Sequence, residues 1–296
     1  MAQRSKHPIR RELVEGLFDV GDGWHIAYQW WPASPRSNEL ANEKPLLFLN
    51  GLGDTYHAWT PFMPKFQSRN RLQVDLRGQG RSLDERLKAT PDSSFRIPIE
   101  TQSQDLKKLL DHLKLDGPVD IAAFSYGGGV AFDFAARWPE RVHRLAFIVP
   151  FLIRLDRSFP MQRLLSWQWN TARSFGLIPD AVGAGVENAY ESFLTAYMNQ
   201  RYEHRMSNSV HRRVAIDLTY GIMKFNAFDV LDHLPDASVF LLTSDCDTLV
   251  PRSLYREFWR RLPEKKRGHW TRVSDGEHLL LEQKPEVVAE WLHTIL

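Results

Sequence analysis

The stretch D-I-A-A-F-S-Y-G-G-G-V-A-F, residues 120–132, sets Ser125 between a short apolar run and three consecutive glycines. An apolar run of this length that breaks into a helix-compatible segment predicts a strand, a sharp turn and a helix. The turn would lift the serine oxygen above the end of the sheet. The residues two before and two after the serine would then crowd together, and Ala123 and Gly127 are both small. Gly128, Gly129, Ala131 and Ala135 would let the helix lie close to the sheet. Its positive N-terminal end would face the serine, where an oxyanion develops in acyl transfer. The glycines do not make a phosphate loop, because no lysine stands at the required place. The competing reading is a serine that caps a helix. A serine hydroxyl is a weak nucleophile until a base takes its proton and a carboxylate orients that base, so the reading turns on partners elsewhere.

Runs like the one before Ser125 recur as P-L-L-F-L-N-G, R-L-Q-V-D-L-R-G, H-R-L-A-F-I-V-P and S-V-F-L-L-T-S-D. Each has the length and apolarity of a strand buried on both faces. Helical patterns lie between them. Leu106, Leu109, Leu110 and Leu113 recur at i, i+3, i+4 and i+7, and the stretch after Ser125 stays helical to Trp138, where Pro139 stops it. Leu254, Tyr255, Phe258, Trp259 and Leu262 share one face of another helix, and a last helix opens at Pro285. Residues 12–31 read as an antiparallel hairpin turning at Gly21-Asp22-Gly23. Alternation of strand and helix predicts an α/β fold, a mostly parallel sheet with helices on both faces. Residues 151–235 break that rhythm: they carry no strong strand signal and are long, aromatic and helix-compatible. The predicted organisation is a core of residues 1–150 and 236–296 with a helical insertion at 151–235.

Composition narrows the function. The chain has 296 residues, 43% hydrophobic and 25% charged, with a formal net charge of +2. That is ordinary for a globular core, and no global field favours nucleic acid or a membrane surface. Cys246 is the only cysteine, which excludes an internal disulfide and any cysteine-based zinc site. The basic N-terminus lacks the apolar run of a secretory signal, and clusters such as L-A-F-I-V-P-F-L-I are too short to span a bilayer. A cytoplasmic protein is the default expectation.

Of eleven histidines, His278 lies in a loop between the last predicted strand and the final helix, and His57 also follows a strand end. The run L-L-T-S-D-C-D-T-L-V-P ends a buried strand with two carboxylates, Asp245 and Asp247. One would point back over the sheet while the other solvates the turn.

Four separated motifs, in order, resemble the α/β-hydrolase superfamily over about residues 12–296. L-F-L-N-G-L-G-D-T-Y-H-A-W resembles its oxyanion strand end, and V-D-L-R-G-Q-G-R-S its arginine–glycine loop. A-A-F-S-Y-G-G-G resembles its nucleophile elbow, and S-D-C-D-T-L-V-P with D-G-E-H-L-L-L-E-Q-K-P its acid and base loops. The resemblance implies Ser125 as nucleophile, His278 as base and Asp247 as acid, Pro251 standing four residues after Asp247 as in the family pattern. It implies an oxyanion hole from the backbone N–H groups of Leu52 and Tyr126, and neither a metal nor an organic cofactor. Departures are Asn50 and Gln79 where the family usually has histidine, Ala123 in place of glycine, and Glu277 before the base, where glycine is common.

Within this resemblance residues 151–235 correspond to a cap over the active site. They hold twelve aromatic residues, and Trp167, Trp169, Phe193, Tyr197 and Phe228, with His57 at the rim, are candidates to bind substrate. The alternative for each aromatic is the small core of the cap itself. Arg201, Arg205, Arg212 and Arg213 are candidates to receive an anionic substrate or an acidic carrier protein, against the commoner outcome of a solvated helix face. Seven basic residues against two acidic ones in 252–267 come without an aromatic platform, so nucleic-acid binding is not expected. The expected activity is cleavage of a carboxylic ester carrying an apolar group. Thioesterase, lactonase, amidase, acyltransferase, carbon–carbon hydrolase, hydroxynitrile lyase and cofactor-independent oxygenase chemistry fit the same parts. A ligand-binding module with a vestigial triad is the non-enzymatic rival.

Overall fold

Runs of four to seven apolar residues are too short for helices and too apolar for strands with one wet face. In the computed structural model each becomes an inner strand of one sheet. The structure describes residues 13–34, 44–82, 97–152, 218, 221, 222, 224–247 and 249–296. Strands β1 (Val14–Gly21) and β2 (Trp24–Trp31) form the predicted hairpin. Its turn needs positive φ at Gly21, Asp22 and Gly23, at 93°, 54° and 78°, which explains the two glycines. Strands β3 (Leu46–Leu49), β4 (Arg71–Asp75) and β5 (Val119–Phe124) are buried at every position. They are joined by β6 (Val142–Ile148), β7 (Val239–Ser244) and β8 (Arg267–Val273).

The strand order is β1-β2-β4-β3-β5-β6-β7-β8. From β4 to β8 every neighbouring pair is parallel, and only the β1–β2 and β2–β4 pairs are antiparallel. No apolar run announces β8. As an edge strand it buries only Val273 and leaves its other residues half-buried or exposed, so its sequence R-G-H-W-T-R-V lacks the signal of the inner strands.

The helices are α1 (Ile99–His112), α2 (Tyr126–Arg137), α3 (Arg252–Arg261), α4 (Leu280–Gln283) and α5 (Pro285–Ile295). The sheet is flanked by them: α2 packs on β3, β5, β6 and α1, and α5 on β6 and β7. The leucine stripe of α1 becomes its buried face, with Leu106, Leu109 and Leu110 at most 2% exposed. Tyr255, Phe258 and Leu262 do the same for α3.

The C-terminal end of the segment read as a cap is part of the core packing. The Ala227 amide donates to the Leu152 carbonyl at 2.7 Å, and the short turns Ala227–Asp229 and Leu231–His233 pack against α2. Apolarity in this stretch serves α2, which a boundary drawn at 235 did not anticipate. Trp167, Trp169, Phe193, Tyr197 and the four arginines at 201–213 lie outside the described residues.

Candidate active site

The parallel strands aim their C-terminal ends at one edge of the sheet, and the loops that leave β3, β4, β5, β7 and β8 meet there. Ser125 follows β5 directly with φ 47° and ψ −110°, a region that side-chain-bearing residues rarely adopt. Such strain persists only where neighbours over-determine it. The Ser125 amide donates to the Ile148 carbonyl at 3.1 Å, and the Ser125 carbonyl accepts from the Gly128 and Phe151 amides, both at 2.9 Å.

Gly127 is needed, though not for the reason the motif suggests. A Cβ there would lie 2.8 Å from the Asn50 carbonyl oxygen and from Leu49, so the end of β3 is its nearest obstacle rather than Ala123. The same closeness lets the Gly127 amide donate to the Asn50 carbonyl at 3.1 Å.

Three side chains from distant parts of the chain form one hydrogen-bonded line. His278 Nε2 lies 2.7 Å from Ser125 Oγ, and His278 Nδ1 lies 2.9 Å from Asp247 Oδ2. His278 is 4% exposed, and the Phe124 ring sits 5.7 Å from its own. Asp247 is fixed from several sides. Its Oδ1 accepts from the Leu249 and Val250 amides at 2.8 and 2.9 Å, and its Oδ2 also accepts from the Tyr255 hydroxyl at 3.1 Å. Burial alone would raise this carboxyl. The charge and hydrogen bond of His278, with the two amides, outweigh it and hold the group below the usual carboxylate range. Asp245 takes the other part read for it, facing Arg252 at 3.3 Å and Arg272 at 3.8 Å on the outside of the turn.

The acid and base loops are joined to each other. Ser244 Oγ donates to the Gly276 carbonyl and accepts from the Cys246 amide, and the Asp245 amide donates to the Val273 carbonyl at 2.9 Å. Glu277, where the family commonly has glycine, is accommodated at the surface while its amide donates to Gln283 Oε1 at 2.7 Å.

Across from these loops, the turn after β3 presents Leu52. Among the described residues neither the Leu52 nor the Tyr126 amide donates to a protein group, and Tyr126 begins α2. The two departures from the family pattern hold this turn. Asn50 Nδ2 donates to the Asp54 carbonyl at 2.7 Å, and Gln79 Oε1 accepts from the Gly53 amide at 2.7 Å. Neutral amides therefore occupy the places where histidine is usual, on either side of Leu52.

The arginine–glycine loop explains itself residue by residue. Asp75 Oδ1 and Oδ2 accept from the Tyr56 and Arg81 amides at 2.6 and 2.8 Å. Arg77 makes a buried two-pronged pair with Asp105 of α1 at 2.6 and 2.8 Å, and Ser82 Oγ donates to the Asp75 carbonyl at 2.6 Å while accepting from the Ala27 amide at 2.7 Å. Tyr126 is anchored from this side, its hydroxyl accepting from Gln102 at 3.3 Å.

Two residues read as substrate contacts are placed differently from the line of three. His57 is exposed, its ring 4.6 Å from that of Tyr56. Phe228 stands edge-on to Phe258 at 6.1 Å with the Arg261 guanidinium 4.7 Å from its ring, so its described contacts are to α3. Tyr255 and Ser244 were not anticipated as site residues. The apolar stripe of α3 concealed Tyr255, whose one legible signal was a hydroxyl that needs a partner once buried.

Among the described residues no helix is long and apolar enough to cross a membrane, and no cluster of histidine, cysteine and carboxylates could hold a metal ion. The chain is 24% identical to cis-3-alkyl-4-alkyloxetan-2-one decarboxylase of Xanthomonas campestris pv. campestris, over 94% of each chain. It is 25% identical to the magnesium-chelatase 30 kDa subunit of Rhodobacter capsulatus, over 89% of this chain and 90% of that one. Its fold matches that of MGS-M2, an alpha/beta hydrolase enzyme from a Medee basin deep-sea metagenome library, with a TM-score of 0.68 at 18% identity, covering 95% of this chain and 96% of the other. The model of the alpha/beta hydrolase fold family matches residues 44–285, a span that contains the elbow, both flanking loops and the whole hydrogen-bonded line, and the protein belongs to that family.

Proposed function

We propose that the protein is a serine hydrolase that cleaves a carboxylic ester through an acyl-enzyme. The observation that carries this reading is the 2.7 Å approach of His278 Nε2 to Ser125 Oγ, with the opposite ring nitrogen held by Asp247. Ser125 Oγ attacks the ester carbonyl carbon as its proton passes to Nε2. The oxyanion is received by the Leu52 and Tyr126 amides at the positive end of α2. Collapse of the tetrahedral adduct breaks the bond to the alcohol oxygen, which takes the proton from His278. Water repeats the sequence: it gives a proton to Nε2, its oxygen joins the acyl carbon, and Ser125 leaves with that proton.

Serine at the elbow favours an acyl intermediate, because attack at a carbonyl carbon gives an ester that water opens. The oxetan-2-one in the relative's name is a cyclic ester, and the same steps applied to such a ring would open it without losing a fragment. Lactones therefore belong beside open-chain esters in the substrate class. Phe151, Phe225 and Phe228 pack on the core, and the other nine aromatic residues of 151–235 support an apolar acyl or alcohol group; each substrate methylene withdrawn from water would add about 0.8 kcal/mol to binding.

The test is labelling by a fluorophosphonate probe beside turnover of neutral esters and lactones of graded chain length. Covalent labelling that is lost in Ser125→Ala, with turnover lost by several orders of magnitude, is the expected result. A folded Ser125→Ala protein that turns over like wild type would remove the serine mechanism. A folded wild type that neither labels nor turns over would favour a binding module. A steady fall in kcat/KM beyond acetate would remove the apolar group.

A further inference from the structure

We infer that Tyr255 is a positioning residue of the acid–base pair, its hydroxyl fixing the Asp247 carboxylate in the orientation that holds His278 toward Ser125; this rests on the serine-hydrolase reading. Tyr255 belongs to α3, outside both loops that carry the pair, and is fully buried. It donates at 3.1 Å to Asp247 Oδ2, the same oxygen that lies 2.9 Å from His278 Nδ1. The carboxylate thus meets four donors: two backbone amides of its own loop on Oδ1, and a helix side chain and the imidazole on Oδ2.

These donors do different things. The amides of Leu249 and Val250 move with the loop and set the carboxylate relative to it alone. The Tyr255 hydroxyl ties it to α3, whose packing on α2 includes the Phe258–Phe132 contact at 5.4 Å. Since Ser125 is the N-cap of α2, that packing references the acid to the helix that follows the nucleophile. The hydroxyl stays a donor throughout the working pH range, because burial first, and then the charge of Asp247, push its ionisation well above the usual tyrosine range.

The hydrogen bond also tunes the carboxylate. A donor on Oδ2 draws off part of the negative charge that the imidazolium would otherwise see, so removing it strengthens the Asp247–His278 attraction and favours the protonated ring. Among the described residues the groups facing the pair are few. From α3 comes Tyr255, from the elbow Ser125, and from the end of β5 the uncharged Phe124 ring. Asp245 pairs with Arg252 and with Arg272, and neither contact involves Asp247 or His278.

The experiment is the pH profile of fluorophosphonate labelling and of p-nitrophenyl ester turnover for wild type, Tyr255→Phe and Ser125→Ala, with thermal unfolding of each. Tyr255→Phe keeps the ring and its packing. The expected result is a loss of about tenfold in kcat with KM nearly unchanged, and an acid limb moved to higher pH in both labelling and turnover. A merely structural tyrosine would lower Tm and leave the limb in place, which would overturn the inference. If Tyr255→Phe does not fold, site-specific 3-fluorotyrosine at 255 takes its place. As a stronger donor it should move the limb to lower pH, and an unmoved limb overturns the inference. Wild type that labels normally beside an unaltered Tyr255→Phe profile rejects this role alone. Failure of Ser125 to label, with Ser125→Ala still active, rejects the serine reading and this role together.

Discussion

Two buried carboxylates sit at the ends of their strands on opposite sides of Ser125, and each accepts two backbone amides. Asp75, at the end of β4, takes those of Tyr56 and Arg81; Asp247, beyond β7, takes those of Leu249 and Val250. Their titration differs in sign. Burial pushes the Asp75 carboxyl up to about 7 against its two amides and the charge of Arg81. Asp247 is driven upward by burial as well, yet His278 and the amides bring it below the ordinary range. At Asp75 the two amides leave burial in control, whereas at Asp247 the contact with His278 tips the balance. Asp75 is therefore a fastener for loops, and Asp247 a group kept charged for the histidine.

The largest effect that would sharpen this contrast is at Asp247. Asp247→Asn keeps the shape and presents an amide to His278, so the ring is held in the wrong protonation pattern. Turnover should fall on the order of 1,000- to 10,000-fold, while Asp245→Asn, which alters a pairing with Arg252 and Arg272 rather than with His278, should remain near wild type. Steady-state kinetics on any ester the wild type accepts measures both. If Asp245→Asn shows the larger loss, the two carboxylates have been assigned in reverse.

A smaller effect is expected at the amides that hold the Leu52 turn. Gln79 Oε1 holds the Gly53 amide, while among the described residues its Nε2 is buried without a partner, as is the Oδ1 of Asn50. Gln79→Leu removes a hydrogen bond and an unsatisfied donor together, so stability should shift by about 1 kcal/mol or less. The Leu52 amide would lose its aim, and kcat should fall about tenfold with KM little changed, since an oxyanion donor acts in the transition state. Denaturant unfolding and kinetics on one preparation separate the two. A large loss of stability with intact kcat would make Gln79 a fold element and nothing more.

How far these features were legible in the sequence follows from how local they are. The elbow, the inner strands and four helices leave periodic or apolar marks, and Ser125, Asp247 and His278 stand in motifs with fixed chain order. Asn50 and Gln79 were visible as departures, but their partners, the Asp54 carbonyl and the Gly53 amide, are backbone groups that carry no sequence mark. The crowding at Gly127 comes from β3, some 77 residues earlier in the chain, so no local pattern shows it. Tyr255 was hidden within a correctly read apolar stripe, and β8 by its place at the sheet edge.

The most direct test of the carboxylate contrast lies in the pH dependence of stability rather than in turnover. A carboxyl whose folded value is raised binds its proton more tightly in the native state than in the unfolded chain. Between its ordinary value of 3.8 and about 7 the native state thus holds more protons, and stability falls as pH rises through that window. A shift from 3.8 to about 7 corresponds to a drop on the order of 4 kcal/mol. Asp247 has the opposite sign. Its folded value is depressed, so its contribution is present above the unfolded value and is lost as pH falls through the folded one. Asp75→Asn should therefore flatten the decline between about pH 4 and 7, while leaving the acid-side loss in place. Asp247→Asn should do the reverse. Asparagine at 75 still offers one acceptor, but its NH2 faces an amide donor, so the whole Asp75→Asn curve should also sit lower. Urea unfolding at half-unit pH steps measures both slopes. If Asp75→Asn leaves the decline unchanged, the carboxylate is ionised in the fold at neutral pH, and the contrast between the two sides of the site disappears.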